Sequence, residues 1–96
     1  MKSIICKLQD WVQSQCDGDW EHHGDGIKIE LIDNPGWGVD IDIRDTALNG
    51  RSVEKIEIER SDTDWLYCNV RDGKYIIRCG VQNLEEGISR FLDWAK

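Results

Sequence analysis

The stretch Ile27-Lys28-Ile29-Glu30-Leu31-Ile32-Asp33-Asn34-Pro35-Gly36-Trp37-Gly38-Val39-Asp40-Ile41-Asp42-Ile43 holds two runs in which apolar and charged side chains alternate. In the first, Ile27, Ile29 and Leu31 alternate with Lys28 and Glu30. In the second, Val39, Ile41 and Ile43 alternate with Asp40, Asp42 and Arg44. An extended chain throws successive side chains to opposite faces, so each run predicts a strand with one apolar and one solvated face. Asn34, Pro35, Gly36 and Trp37 join the runs. Proline followed by glycine suits the central positions of a type II turn, the second of which requires a positive φ. The two strands are expected to pair as a hairpin.

Toward the C-terminus, Asn49 and Gly50 mark a turn before Val53 to Glu59, where Ile56 and Ile58 alternate with Lys55, Glu57 and Glu59 and predict a third strand. Trp65 to Val70 and Lys74 to Cys79 flank Asp72 and Gly73, a pair suited to a two-residue type I′ turn, which predicts a second hairpin. Asn83 with Glu86 three residues on resembles a capping box, and Leu84, Ile88, Phe91, Leu92 and Ala95 then line one face of a closing helix. Toward the N-terminus, Asp17 to Gly26 is polar, contains three glycines and reads as a loop. Before it, Ser3 is a candidate N-cap, and Ile4, Leu8, Trp11 and Val12 recur at helical spacing up to Cys16. The expected order is α-β-β-β-β-β-α in one α+β domain over residues 1–96. Its single antiparallel sheet of about five strands runs in meander order, with the N-terminal and C-terminal helices packed on one face.

Composition narrows the function. A chain of 96 residues with 40% apolar content and one proline has room for one core and none for a deep cofactor cleft. No apolar run approaches the roughly 20 residues needed to cross a bilayer, and Met1 to Cys6 is too short for the apolar region of a signal peptide. The expected compartment is therefore a reducing cytoplasm, where Cys6, Cys16, Cys68 and Cys79 stay unpaired. Net charge is −7, and its distribution is uneven: ten acidic residues from Asp10 to Asp45 face only Lys28 and Arg44. Such a field repels nucleic acid and anionic membrane and speeds encounter with a basic protein, although acidity also serves solubility.

Catalytic and metal chemistry finds little support. Cys16, Asp17, Asp19, Glu21, His22 and His23 supply ligand types for a metal, but no second pair at zinc-site spacing completes four ligands. Cys68 and Cys79 fall on the alternation of Leu66, Val70, Tyr75 and Ile77, which reads as buried thiols. Asp40 with Asp42, and Glu57 with Glu59, read as solvated strand faces unless a partner covers them. Gly24-Asp25-Gly26 lacks the lysine and helix of a phosphate loop, so no cofactor is expected. Of five tryptophans, Trp11 and Trp94 belong to apolar helical faces and Trp65 opens a strand. Trp20 and Trp37 stand in a loop and a turn beside acids, where an indole either anchors an interface or caps the core.

These motifs carry a resemblance. Cys16-Asp17-Gly18-Asp19-Trp20-Glu21-His22, the strand opening Gly26-Ile27-Lys28-Ile29, and Asp33-Asn34-Pro35-Gly36-Trp37 running into Val39-Asp40-Ile41-Asp42 are similar to the immunity protein 53 family. The likeness extends to the Asn83-Leu84 helix with Phe91, Leu92, Trp94 and Ala95. It implies an immunity protein of a bacterial polymorphic toxin system, made beside a secreted or contact-delivered toxin and acting by binding, without catalysis. Joined to the charge asymmetry, it makes Asp17, Asp19, Trp20, Glu21, Asp33, Trp37, Asp40 and Asp42 the candidate surface for a cognate toxin domain, with a nuclease the expected class. The alternative is that Asp17, Asp19 and Asn34 hold turns while Trp20 and Trp37 cover the core. A small Cys/His metal-binding or sulfurtransferase-like enzyme is the competing class, and no active-site cysteine loop is evident for it. No pattern in the chain specifies an oligomeric state.

Overall fold

Helix α1 (Ile4–Gln15) begins where the Ser3 hydroxyl accepts a hydrogen bond from the Cys6 amide, and Cys16 follows its last residue, as the capping signal predicts. The chain then forms a one-turn helix α2 (Trp20–His23), strands β1 (Ile27–Ile32), β2 (Gly36–Asp42), β3 (Ile56–Glu59), β4 (Trp65–Arg71) and β5 (Lys74–Cys79), and helix α3 (Leu84–Trp94). This computed structural model describes residues 2–96, with the side chain of His23 outside that description.

All five strands join one antiparallel sheet, and both end helices are present as expected. The strand order is β1-β2-β5-β4-β3, which corrects the meander. β5 inserts between β2 and β4, and the segment from Ile43 to Lys55 crosses one end of the sheet to deliver β3 to the far edge, giving a Greek-key arrangement of β2 to β5. That crossing is anchored rather than free. Ile43 and Leu48 are buried, the Trp94 indole donates to the Ser52 carbonyl at 2.9 Å, and Arg51 donates to the Trp94 and Lys96 carbonyls.

Register explains which face is covered. Val39, Ile77, Cys68 and Ile56 form one row across four strands, and Trp37, Cys79, Leu66 and Ile58 form the next. Ile88 and Phe91 of α3 and Leu8 of α1 join these residues in the core, and the Phe91 ring meets Trp11 and Tyr75 edge-on at 4.9 and 5.1 Å. Each such side chain contributes roughly 1.5–3 kcal/mol by leaving water. The other sheet face carries Lys28, Asp40, Ile76 and Asn69 in one row, and among the described residues the two long helices join the core on the opposite face.

Local expectations met different fates. Asp72 and Gly73 take positive φ of 54° and 75°, as the β4–β5 turn requires. The β1–β2 hairpin forms, but not through a type II turn: the Asn34–Pro35 peptide is cis, and Gly36 is the first residue of β2, paired with Ile32. Gly36 is needed for closeness instead, because a Cβ there would lie 2.2 Å from the Cys79 carbonyl oxygen. The third strand starts at Ile56 rather than Val53, and the Asp17 to Gly26 loop contains α2. Asn83 does not cap α3 through its side chain; its amide donates to Asp64 and Glu86, which Arg60 also bridges.

Candidate functional site

The Asp17 to Glu21 motif ties a knot. Asp17 Oδ1 accepts from the amides of Asp19 and Trp20 at 2.9 and 3.2 Å, while Glu21 reaches back to accept from the amides of Asp17 and Gly18. This reciprocal pattern resembles a capping box, but it lies in the turn just before α2, whose first residue Trp20 supplies one of the four amides. Hydrogen bonds from the Asp19 and Trp20 amides hold the Asp17 carboxyl below its ordinary range. Glu21 is likewise lowered, chiefly by its own amide and, against a desolvation that opposes them, by those of Gly18 and Asp17. Asp17, Asp19 and Glu21 are all exposed, so the knot presents three carboxylates on a fixed turn.

Trp20 points the other way. It is buried at 4% exposure, packs edge-on against Trp11 at 5.6 Å, and donates its indole N–H to the Asp42 carbonyl at 2.9 Å. Asp42 is buried too, at 1% exposure, although alternation alone places it on the solvated face. Its Oδ1 accepts from the backbone and Nε of Arg44, and its Oδ2 from the Asp25 amide and Arg44 Nη2. Burial pushes the Asp42 carboxyl up, but the Arg44 side chain, the Asp25 and Arg44 amides and the Arg44 charge together bring it below the ordinary value. Asp25 extends the network to Lys74 at 2.8 Å and is lowered mainly by that hydrogen bond. Trp20 and Asp42 are thus engaged inside the chain and offer no surface to a partner in this structure. They fix the α2 turn to the end of the β1–β2 hairpin.

The remaining candidates are dispersed. Asp33 is exposed at the opposite end of that hairpin, separated from the α2 turn by the length of β1, about 20 Å at the usual rise per residue. Trp37 is half-buried on the helix-covered face, its indole donating to the Val81 carbonyl at 3.0 Å. Asp40 is half-buried on the open face and paired with Arg78 at 2.9 Å. The network of Asp25, Arg44 and Lys74 escaped sequence reading because Asp42 meets Asp25, and Asp25 meets Lys74, across strand ends distant in the chain. Also unforeseen is a groove of about 520 Å³ beside β3 and β4, where Trp65 and Tyr67 meet Glu57, Glu59 and Asp62.

Catalytic chemistry gains nothing from the cysteines in the core. Cys68 and Cys79 are fully buried, as their alternation predicts, and burial pushes the Cys68 thiol up to about 11, away from nucleophilic thiolate. Cys16 donates its thiol to the Val12 carbonyl. Among the described residues no three His, Cys, Asp or Glu side chains are grouped to hold a metal ion; the His23 side chain, part of the loop cluster considered for one, lies outside them. No described helix is long and apolar enough to cross a membrane.

Comparison with curated proteins and with solved structures finds no match. Comparison with family models finds immunity protein 53, matched over residues 5–96. That span takes in the α2 knot, the whole sheet and α3. The chain belongs to the immunity protein 53 family.

Proposed function

We propose that this protein binds a cognate toxin domain in the bacterial cytoplasm and neutralises it without catalysis. Family membership supports the role, and the acidic bias of residues 10–45 supports the chemistry of the partner. The toxin presents a basic surface, as the substrate groove of a nuclease does, and the carboxylates of this chain meet it in place of phosphates. The observation that carries this reading furthest is the α2 knot. Asp17, Asp19 and Glu21 stand exposed on a turn whose backbone is tied by the side chains of Asp17 and Glu21 and pinned from beneath by Trp20 and Asp42. Preorganised charge costs little ordering entropy on binding. Asp33, Trp37 and Asp40 belong to the same hairpin, and a standard interface of about 800 Å² per partner is wide enough to reach from one of its ends to the other.

The test is a titration of the purified protein against the C-terminal domain of the toxin encoded next to it, at low and high salt. Binding should be tight and weaken as salt rises, and the Asp17→Lys/Asp19→Lys/Asp33→Lys variant should bind at least about tenfold more weakly if it remains folded by circular dichroism. Tight binding indifferent to both salt and these reversals would remove the acidic surface from the interface. Absence of binding would remove the immunity reading itself.

A further inference from the structure

The edges of the sheet are treated differently. β3, one edge, is four residues long and carries Glu57 and Glu59 on its polar face. β1, the other edge, is six residues long, without proline or bulge, and its apolar side chains are poorly covered: Ile29 is 42% exposed and Leu31 66%. A long, flat edge strand with exposed aliphatics invites another strand, and proteins usually blunt such edges.

The pairing chemistry of β1 is defined. Asp42 donates its amide to the Gly26 carbonyl at 2.8 Å, and the register continues through Ile27 opposite Ile41. Hydrogen-bonded and non-hydrogen-bonded pairs alternate in an antiparallel ladder, so Lys28, Glu30 and Ile32 turn their backbone groups toward β2. Ile27, Ile29 and Leu31 turn theirs outward, to the open edge.

We infer that β1 is a self-association edge that joins two copies of this chain through an antiparallel pair centred on Ile29. A two-fold axis there sets Ile29 against Ile29 of the second copy and Ile27 against its Leu31, so every outward amide and carbonyl of the three residues finds a partner. On the opposite face the same register sets Lys28 against Glu30 of the second copy, twice. The strand is therefore complementary to itself in backbone, apolar contact and charge. Sliding the axis by one residue to Glu30 would keep the backbone groups paired but oppose two glutamates at the centre and set Lys28 against Ile32 in place of Glu30. β3 offers no such match.

The pairing has a consequence that rests on the proposed immunity role. Because the strands run in opposite directions, the α2 end of one copy comes beside the Asp33 end of the other. The two acidic motifs that one chain holds apart at opposite ends of its hairpin are neighbours in the pair.

Sedimentation equilibrium of the purified chain tests the inference without any toxin. A concentration-dependent mass reaching twice 11.1 kDa is expected. Lys28→Glu and Glu30→Lys, both at exposed positions, should each weaken association at least about tenfold. Mixing the two variants should restore it as a heterodimer, and the double exchange should restore it within one chain. A chain monomeric at every concentration reached would overturn the inference. So would a dimer indifferent to Lys28→Glu, which would place the contact elsewhere, and so would a monomer whose β1 amides are protected only on adding the toxin, which would give the edge to the partner.

Discussion

Asp42 and Asp33 have the same side chain and opposite importance. The four donors on Asp42 leave no oxygen lone pair for an amide to replace, so Asp42→Asn sets an NH₂ group against Arg44 or the Asp25 amide. We expect a loss of about 2 kcal/mol, measured as the shift of the urea midpoint at constant slope. Asp33 is exposed at the hairpin tip, where Asp33→Asn should change stability by less than about 0.5 kcal/mol. Sequence alone did not separate the two: strand alternation puts Asp42 outward, and only the return of Arg44 and the approach of Asp25 enclose it. Trp20 repeats the lesson. Its place in a loop beside acids left an exposed anchor and a core cap both open, and those neighbours fold the turn that inserts the indole into the core. What was legible was the motif; its direction depended on contacts with Trp11 and Asp42 from other elements.

At the level of elements, periodicity located all five strands and both long helices, because alternation and helical spacing are local properties. Strand order is not local. The Ile43 to Lys55 connection could have turned back beside β2, but its buried Ile43 and Leu48 and its ties to the end of α3 carry it across to the far edge. The place thus opened is filled by β5, whose Tyr75, Ile77 and Cys79 match the apolar row of β2. Gly36 marks where that match is tightest. Its hydrogen faces the Cys79 carbonyl, and the Trp65 indole lies 3.2 Å from where a Cβ would be. Gly36→Ala must push β2 from β5 at the backbone, which does not yield as a flexible side chain would. The expected cost is about 2–3 kcal/mol, with the loss of amide protection greatest at the β2–β5 ladder in hydrogen exchange. Equal protection along the ladder in the variant would show that the backbone accommodates the methyl group elsewhere.

At the scale of the molecule, the carboxylates couple charge to stability. Asp17, Glu21, Asp25, Asp42, Asp64 and Glu86 all lie below their ordinary values, held by backbone amides in the α2 knot, by Arg44 and Lys74 around Asp42 and Asp25, and by Arg60 and Asn83 beside α3. A carboxyl lowered by folding binds protons more readily when unfolded, so its contribution is complete above the unfolded values of 3.8 for Asp and 4.5 for Glu. It is lost as pH falls through the folded values. Stability should therefore be level from about pH 7 to about pH 5 and fall steeply below about pH 4. There the acids that balance twelve lysines and arginines are neutralised, and the remaining positive charges repel one another. Asp42→Asn should flatten this acid limb as well as lower the plateau, because one of the lowered groups no longer titrates. Urea midpoints measured across that pH range for both proteins separate the two effects: parallel curves would mean that Asp42 contributes shape and hydrogen bonds but no proton linkage.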